Sequence, residues 1–413
     1  MIKILDCKNS NYLSKLKLIL EKRRLGSKIN TNIVSKIIKD VKKNKQKALL
    51  KYEKKFSNNS KIKPSNNEIN NSIKLLDPKI KKAIDFAYSR ILKFHSLQKT
   101  KNIKYLDNQN NKIEYRYIPI QSVGIYVPAN LPSTLLMNVI PAKLAGVKRI
   151  VLANPRFNGK LNPAVMYVAK KAGINEIRSV GGAQAIGMLT YVDKVNKIVG
   201  PGNIYVARAK KEVFGNVGIE GSIMGPSEIA VVADNKTNLN QVITSIIGQA
   251  EHDINSQCIL ISKDKNFIYN VRNSIFNQLK DLPRKSIAKK SLESNGILIN
   301  AHSNKQVINI INEIAPEHLE LNIKNYQGIL NKINNAGSIC LGKYSAMAVT
   351  DYNAGTNHIL PTNSSAKFSS GLSVYDFYKR ISYINLSKKG IETLGPSVIT
   401  LAKFEGLEGH AKS

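Results

Sequence analysis

The sequence contains no tryptophan and only three cysteines, Cys7, Cys258 and Cys340, which are widely spaced and form no CxxC pair. This spacing is typical of neither a disulfide framework nor a thiolate zinc site. We therefore expect three unpaired thiols that take no part in the chemistry of the protein.

No stretch of the 413 residues approaches the roughly 20 consecutive apolar residues that a membrane-spanning helix needs. The first residues of the chain are followed by neither an apolar segment nor a small-residue cleavage site, so they do not read as a signal peptide. These absences predict a cytoplasmic protein that spans no membrane.

Acidic residues are scarce: 28 Asp and Glu stand against 63 Lys and Arg, for a formal net charge of +35. A charge of this size raises the alternative of a non-enzymatic, basic nucleic-acid-binding protein. The lysines, however, are spread over nearly every surface-like stretch. There is neither zinc-finger spacing nor an RNP-type aromatic strand, so we expect no nucleic-acid partner.

The first 117 residues predict a mainly helical region. Apolar residues recur with helical period over 33–50 and again over 69–92, and an Asn-, Ser- and Lys-rich loop lies between them at 57–67. Its one histidine, His95, is expected to be packed or solvated. We expect this region to be a scaffold that packs on the second of the two units described next.

Short β-branched runs alternate with helical patterns from Ile118 onward, which predicts parallel sheets with crossover helices. The fold class is therefore α/β, with two doubly wound, incomplete Rossmann-like parallel-sheet domains at 118–227 and 228–372 and a helical tail at 373–413. The hinge is expected at 225–228. The predicted strands lie at 123–127, 150–153, 177–180, 197–199, 229–233, 258–261, 296–299 and 337–341.

A helix predicted from Leu239 ends near Gln249 and His252. These residues are three positions apart and adjoin the buried face, which is a suitable geometry for two ligands of one metal ion. The alternative is an ordinary helix end with a solvated Gln and a His that interacts with the helix dipole.

Two further polar clusters follow. Glu317 and His318 come directly after a proline, where a helix is expected to begin, so that their side chains would flank one substrate. The segment 351–358 is expected to be a loop with Asp351 at one end and His358 at the other. Each cluster alone also fits a plain helix start or turn.

Glycine-rich turns follow two strands of the first unit, at 181–182 and at 200–202. Ligands of open α/β sheets bind outside the carboxyl ends of the strands, where helix amides face an anion. The GxGxxG fingerprint is absent. The turns therefore indicate a nucleotide or phosphate site, or else ordinary tight turns.

Taken in order, these motifs resemble the histidinol dehydrogenase family over nearly the whole chain. They are Gly-Gly-Ala-Gln-Ala (181–185), Gly-Pro-Gly-Asn (200–203), Gly-Gln-Ala-Glu-His-Asp (248–253), Ala-Pro-Glu-His-Leu-Glu (315–320), Asp-Tyr-Asn-Ala-Gly-Thr-Asn-His (351–358), Phe-Ser-Ser-Gly-Leu-Ser (368–373) and Gly-Leu-Glu-Gly-His (406–410).

The resemblance implies a homodimeric enzyme that oxidises L-histidinol to L-histidine with two NAD, at the last step of histidine biosynthesis. It implies one zinc ion per subunit, held by Gln249, His252, Asp351 and His410, with His410 supplied across the dimer interface by the exchanged tail. A set of N and O ligands suits a catalytic zinc ion. A related zinc- and NAD-dependent dehydrogenase of another amino alcohol or diol is the alternative.

The resemblance also assigns roles to individual residues. His318 is expected to act as the base in both oxidations, and Glu317 is expected to activate the water that hydrates the bound aldehyde. Besides the four zinc-binding residues and His318, the substrate is expected to contact Ser227, His358 and Glu405. NAD is expected to contact Tyr126, Gln184 and Asn203.

The chain departs from the family pattern mainly on the NAD side. The loop after Pro128 and the link after Gln184 are both shorter than is usual in the family, and Thr350 stands where glycine commonly precedes Asp351. We expect any difference from the family to lie in the affinity for NAD.

Overall fold

The computed structural model describes residues 2–26, 31–220 and 225–413, so the predicted hinge at 225–228 lies within the described residues. The described strands are β1 (Lys3–Asp6), β2 (Ile103–Leu106), β3 (Lys112–Pro119), β4 (Ser122–Tyr126), β5 (Arg149–Ala153), β6 (Glu176–Arg178), β7 (Lys197–Val199), β8 (Gly218–Ile219), β9 (Glu228–Ala233), β10 (Gln257–Ser262), β11 (Ile297–Asn300), β12 (His318–Asn322), β13 (Ser338–Leu341) and β14 (Tyr378–Asn385).

The described helices are α1 (Tyr12–Gly26), α2 (Thr31–Ser57), α3 (Asn66–Lys74), α4 (Pro78–His95), α5 (Pro132–Ala145), α6 (Pro163–Lys171), α7 (Gly182–Tyr191), α8 (Ile204–Val213), α9 (Leu239–Ala250), α10 (Lys265–Ser274), α11 (Lys285–Asn295), α12 (Asn304–Ile314), α13 (Gln327–Leu330), α14 (Met347–Tyr352), α15 (Lys388–Phe404) and α16 (Glu408–Lys412).

Two parallel sheets form the framework, as the alternating pattern predicts. A five-stranded sheet has the order β6-β5-β4-β7-β8, and a six-stranded sheet has the order β1-β11-β10-β9-β12-β13. All eight predicted strands are present to within about two residues at each end. The prediction of an α/β fold with parallel sheets is confirmed.

Each sheet is covered by helices on both faces, because successive side chains of a strand point to opposite sides. In β5, Leu152 packs with α5 and α6, whereas Val151 packs with α2 and α7. In β9, Val231 packs with α9 and α10, whereas Val232 packs with α1 and α12. Such double coverage explains why the strands read as continuous apolar runs.

The N-terminal region is divided between the two units, which differs from the prediction that residues 1–117 pack on the second unit. Only β1 and α1 join the six-stranded sheet, where β1 pairs with β11 and α1 contacts α12. Helices α2, α3 and α4 pack instead on α7, α6 and α5 of the first unit. Periodicity identifies an apolar helical face but not its partner, since any apolar surface of matching shape satisfies it.

The prediction that a helix begins at Glu317 is wrong, because a strand begins directly after this residue. His318 opens β12, a fully buried strand between β9 and β13 in the six-stranded sheet. The preceding helix, α12, ends at Ile314, and the next residue, Ala315, has a φ of 47°. The chain then runs through Pro316 into the sheet, because the short run from 318 to 322 is buried on both faces.

The C-terminal segment is not purely helical. Strand β14 pairs antiparallel with β3, which in turn pairs with β2, and these strands form a third sheet that the sequence did not predict. Helices α15 and α16 follow. No helix among the described residues is long and apolar enough to cross a membrane.

All three cysteines are buried and unpaired, as expected. Burial raises the pKa of the Cys258 thiol to about 12. A thiol with such a pKa is protonated at neutral pH and is a poor nucleophile.

Candidate active site

The carboxyl edge of the five-stranded sheet holds the three residues predicted to contact NAD. Tyr126 ends β4, Gln184 lies in the first turn of α7, and Asn203 caps α8. The side-chain oxygen of Asn203 accepts hydrogen bonds of 3.1 Å from the backbone amides of Tyr205 and Val206. The edge is the one where open α/β sheets bind their ligands.

Glu53 of α2 holds the turn that leads into α7. One of its carboxylate oxygens accepts a hydrogen bond from the backbone amide of Gly181 at 3.0 Å and one from the side-chain amide of Gln184 at 2.8 Å. Glu53 is fully buried. Its negative charge therefore lies at the positive end of the α7 dipole, where a Rossmann unit would place a ligand phosphate.

The amino edge of the six-stranded sheet carries the other part of the site. In the register of the strands, Gln257 is the partner of Glu228, and His318 is the partner of Ile229. The starts of β10, β9 and β12 are therefore side by side, with Ser227 directly before β9. Parallel pairing thus gathers residues that are far apart in the sequence.

The carboxylate of Glu317 lies between Glu228 and His318. One oxygen, Oε2, accepts a hydrogen bond from the backbone amide of Glu228 at 2.8 Å, and the other, Oε1, lies 3.9 Å from Nε2 of His318. Burial raises the pKa of Glu317 well above its usual range, while the hydrogen bond from Glu228 acts in the opposite direction. A carboxylate in this environment is a stronger base than an exposed one.

His318 is buried and neutral at physiological pH. Burial, together with the nearby His358 and His252, lowers its pKa to about 3. Its Nε2 atom lies 3.6 Å from Oδ1 of Asp351, and its Nδ1 atom is buried without a hydrogen-bond partner among the described residues. The ring is therefore able to accept a proton at a position that faces two carboxyl groups.

Gln249 ends the helix that was predicted from Leu239, which is confirmed as α9. Its side chain is fully buried, and both amide atoms, Oε1 and Nε2, are buried without a hydrogen-bond partner among the described residues. A buried amide of this kind costs about 1–3 kcal/mol unless something else satisfies it. The alternative of a solvated Gln is therefore wrong.

His252 lies just beyond the end of α9, in a turn, with part of its ring accessible to solvent. The surrounding protein still removes enough water to lower its pKa. His252 in turn lowers the pKa of His318 and of His358, so the three histidines are close enough to interact electrostatically.

Asp351 lies in the last turn of α14 and not in a loop, which corrects the prediction for 351–358. Burial raises the pKa of its carboxyl to about 7. The Nδ1 atom of His358 is 2.7 Å from the backbone oxygen of Asp351, and burial lowers the pKa of His358 to about 4.

The segment after α14 bridges the two units. The Asn357 side chain donates a hydrogen bond of 2.7 Å to the backbone oxygen of Met137 in α5. Arg90 of α4 donates to the backbone oxygen of Asn353 at 2.9 Å. These contacts tie the Asp351–His358 cluster to the unit whose turns are predicted to contact NAD.

The remaining predicted residues are Glu405, which follows the end of α15, and His410, which lies in α16. Both are exposed and are not brought to this cluster within one chain. In the described parts of the chain, no three His, Cys, Asp or Glu side chains form a group that could hold a metal ion.

Sequence reasoning missed Glu53 and Arg23. Both lie in lysine-rich helices without a motif, and a charged residue in such a helix is expected at the surface. The Arg23 side chain is instead 7% exposed and forms an ion pair with Glu228. Only the fold could reveal these roles, because each depends on a contact across more than a hundred residues of sequence.

Comparison with known proteins identifies relatives along the whole chain. A family model described as histidinol dehydrogenase matches residues 20–413. A histidinol dehydrogenase of Pelagibacter ubique is 62% identical over 420 residues, which cover 100% of this chain and 98% of that protein. One from Listeria monocytogenes is 44% identical over 391 residues, covering 92% of this chain and 91% of that protein.

Solved structures give the same result for the fold. The crystal structure of histidinol dehydrogenase from Elizabethkingia anophelis superposes with a TM-score of 0.91 at 38% identity, covering 100% of this chain and 96% of that chain. An acetylating aldehyde dehydrogenase from Geobacillus thermoglucosidasius gives a TM-score of 0.51 at 12% identity, covering 92% of this chain and 99% of that chain. The second likeness concerns the fold alone.

Proposed function

The chain belongs to the histidinol dehydrogenase family of NAD-dependent oxidoreductases, and from this premise we propose that it oxidises L-histidinol to L-histidine through a bound aldehyde, with two NAD and one zinc ion per subunit. The observation that carries this proposal is the cluster of Glu317, His318, Asp351 and His358 at the amino edge of the six-stranded sheet. The enzyme would act in the cytoplasm.

The residues fit a zinc ion. Gln249 has a fully buried amide, and neither of its polar atoms has a hydrogen-bond partner in the part of the chain that the structure describes, so both are available to a ligand. With His252 and Asp351 it gives the N and O donors that a catalytic zinc ion takes. The fourth ligand would be His410 of the partner subunit, so one chain by itself supplies only His252 and Asp351 among His, Cys, Asp and Glu.

When bound, zinc would act as a Lewis acid toward the substrate, and NAD would accept one hydride in each oxidation. Ser227 and His358 would contact the substrate at the start of β9 and after α14. The remaining chemistry belongs to His318 and Glu317.

His318 would take the hydroxyl proton at Nε2 in the first oxidation, which leaves the aldehyde. The neutral state of the ring is compatible with this role, because a neutral imidazole has a nitrogen lone pair that can accept the proton. In the second oxidation it would take a proton from the aldehyde hydrate, after passing the first one to solvent. The product is then the carboxylate of L-histidine.

Glu317 would accept a proton from water as that water adds to the aldehyde carbon, and would then give the proton to the former carbonyl oxygen, which completes the hydrate. The raised pKa of Glu317 supports this role, because the buried carboxylate gains most from taking up a proton. Its second oxygen stays bonded to the Glu228 amide, so the carboxylate keeps one orientation during the step.

The NAD site would lie along the carboxyl edge of the five-stranded sheet. Tyr126 supports the α7 turn there, since its hydroxyl accepts a hydrogen bond from the amide of Gly182 at 3.3 Å. Gln184 and Asn203 flank the same edge. Because Glu53 already accepts hydrogen bonds at the start of α7, that helix terminus is not free to bind a phosphate of NAD. NAD would therefore contact mainly the glycine-rich turns at 181–182 and 200–202.

A homodimer would complete the site. The face of α15 that carries Ile391, Leu394, Val398 and Leu401 follows helical spacing, and all four side chains are exposed in the single chain. Burying this face on a partner would bring Glu405 and His410 of the tail to the partner's zinc cluster. This arrangement supports the exchange of the tail between subunits.

The test is the amount of NADH formed per L-histidinol consumed, before and after removal of metal by a chelator. We expect two NADH per substrate, with activity lost on chelation and restored by zinc. A folded, zinc-loaded dimer that forms no NADH from L-histidinol would reject the proposal and favour another amino alcohol as the substrate.

A further inference from the structure

The guanidinium group of Arg23, near the end of α1, binds four acceptors at the amino edge of the six-stranded sheet. Nη1 donates to the Glu228 carboxylate and, at 3.2 Å, to Oε1 of Gln257. Nη2 donates to the backbone oxygen of Pro226 at 2.8 Å, and Nε donates to that of Asn255 at 3.2 Å. Each nitrogen of the group is therefore used.

These acceptors adjoin the proposed site without belonging to it. Pro226 directly precedes Ser227, whose backbone oxygen accepts a hydrogen bond of 2.9 Å from the Gln257 amide. Glu228 supplies the backbone amide that binds Glu317 at 2.8 Å. One side chain from the N-terminal helix thus fixes the backbone on both sides of Ser227 and behind Glu317.

The charge of Arg23 is as important as its hydrogen bonds. The side chain of Glu228 is 4% exposed, and a buried carboxylate is stable only when it is paired and hydrogen-bonded. Glu228 also accepts a hydrogen bond of 3.1 Å from the backbone amide of Asn363. Without Arg23, Glu228 would move toward solvent or take up a proton, and its backbone amide would shift relative to Glu317.

We propose that Arg23 is a positioning residue for Glu317 and Ser227, which acts through Glu228 and serves the hydration of the aldehyde more than the first oxidation. This inference rests on the proposed function, in which Glu317 acts only in hydration. Within the described residues, neither Arg23 nor Glu228 forms a hydrogen bond or ion pair with His318, so the proton transfer to His318 should depend less on the Arg23–Glu228 pair.

The test compares Arg23→Met and Arg23→Lys with the wild-type holoenzyme. The readouts are NADH formed per L-histidinol consumed and the aldehyde trapped by semicarbazide. In Arg23→Met we expect the second oxidation to slow about 10- to 100-fold, because a small misplacement of a catalytic group has an effect of this size. NADH per substrate then falls toward one, trapped aldehyde rises, and Arg23→Lys recovers part of the loss.

Lys17→Met is the matched control on the same helix, since Lys17 is 56% exposed and pairs with Glu313 at the surface. It should keep two NADH per substrate and release no aldehyde. A folded Arg23→Met enzyme that also keeps two NADH, or that loses both oxidations in equal proportion, overturns the inference.

If Arg23→Met does not fold, the double variant Arg23→Met/Glu228→Gln removes both buried charges and takes its place. It should still release aldehyde, because the bond to Pro226 is lost, and retention of two NADH per substrate would overturn the inference. Wild-type enzyme that forms no NADH from L-histidinol rejects the proposed function, and this inference with it.

Discussion

The Nε2 atom of His318 lies 3.6 Å from Oδ1 of Asp351, although one residue opens the strand β12 and the other lies in the helix α14. This distance puts the proposed base next to a proposed metal ligand. A substrate held by the metal would therefore present its carbinol hydroxyl to a neutral imidazole.

His318→Asn should lower kcat by about 10²- to 10⁴-fold, which is the usual effect of losing a general base. Both oxidations should be affected, because His318 takes a proton in each. The measurement is single-turnover NADH formation, with zinc content and thermal unfolding as controls for the site and the fold. Normal kcat in the variant would assign the base to another residue.

Gln249→Leu should weaken zinc binding by about tenfold or more, yet leave the metal-free protein as stable as the wild type or more so. The reason is that no described residue hydrogen-bonds to the Gln249 amide, whereas leucine leaves no unsatisfied polar atom. Zinc titration and denaturant unfolding of the metal-free protein measure the two effects.

Gln241→Leu is the control on the same helix, since the Gln241 side chain donates a hydrogen bond to the backbone oxygen of Lys343 and was not predicted to bind the metal. It should leave the zinc affinity unchanged. Loss of stability in metal-free Gln249→Leu would mean that the amide has a structural partner in the protein and is not a metal ligand.

Activity should be restored when a His318→Asn chain is paired with a His410→Ala chain. If the tail crosses the dimer, the mixed dimer has one complete site and about half of the wild-type kcat. The dimer is purified through a different tag on each chain and assayed with L-histidinol. An inactive mixed dimer would place His410 in the site of its own chain.

Gly200→Ala should raise the KM for NAD and destabilise the protein by about 1–3 kcal/mol. Gly200 has a φ of 107°, and a Cβ atom there would come within 2.1 Å of the Tyr126 backbone oxygen. The turn would have to move at the predicted NAD edge. Gly328→Ala, where a Cβ meets nothing within 4 Å, should change neither quantity.

Asp40 should stabilise the protein above about pH 4 and lose this effect as the pH falls toward 2. Hydrogen bonds from Asn44, Lys51 and Tyr52 lower its pKa from the usual 3.8 to about 2, so the folded state keeps the charged form more readily than the unfolded state. The contribution is modest, about 0.5–1 kcal/mol, because Lys51 is exposed.

Asp40→Asn therefore should lower the free energy of unfolding at pH 7, and the difference from the wild type should shrink as the pH approaches 2. Denaturant unfolding at several pH values measures this difference. A constant difference across that range would show that the carboxylate charge is not the source of the stability.

The sequence by itself determined the α/β fold class and most strands of the two parallel sheets. Alternating β-branched runs and helical patterns predicted eight strands of the two parallel sheets, because residues buried on both faces must be apolar throughout. Helix α9 was predicted from its start at Leu239, since its apolar face repeats with helical period. Motif order added the family and the residues Gln249, His252, Glu317, His318 and Asp351.

The sequence led to a wrong or missing prediction where a strand depends on pairing with distant strands and not on a local pattern. Pro316 favoured a helix after Ala315, but strand pairing on both sides of His318 outweighed that preference. Strand β1 has only four residues, and its identity depends on pairing with β11, which no local pattern records.

Only the tertiary structure decided which residues meet. Parallel pairing aligned the starts of β9, β10 and β12, and this alignment put Glu228 beside Glu317. The roles of Arg23 at that edge and of Glu53 at the α7 turn can be recognised only in the structure. A charged residue in a helix is expected at the surface unless the fold brings a buried partner to it.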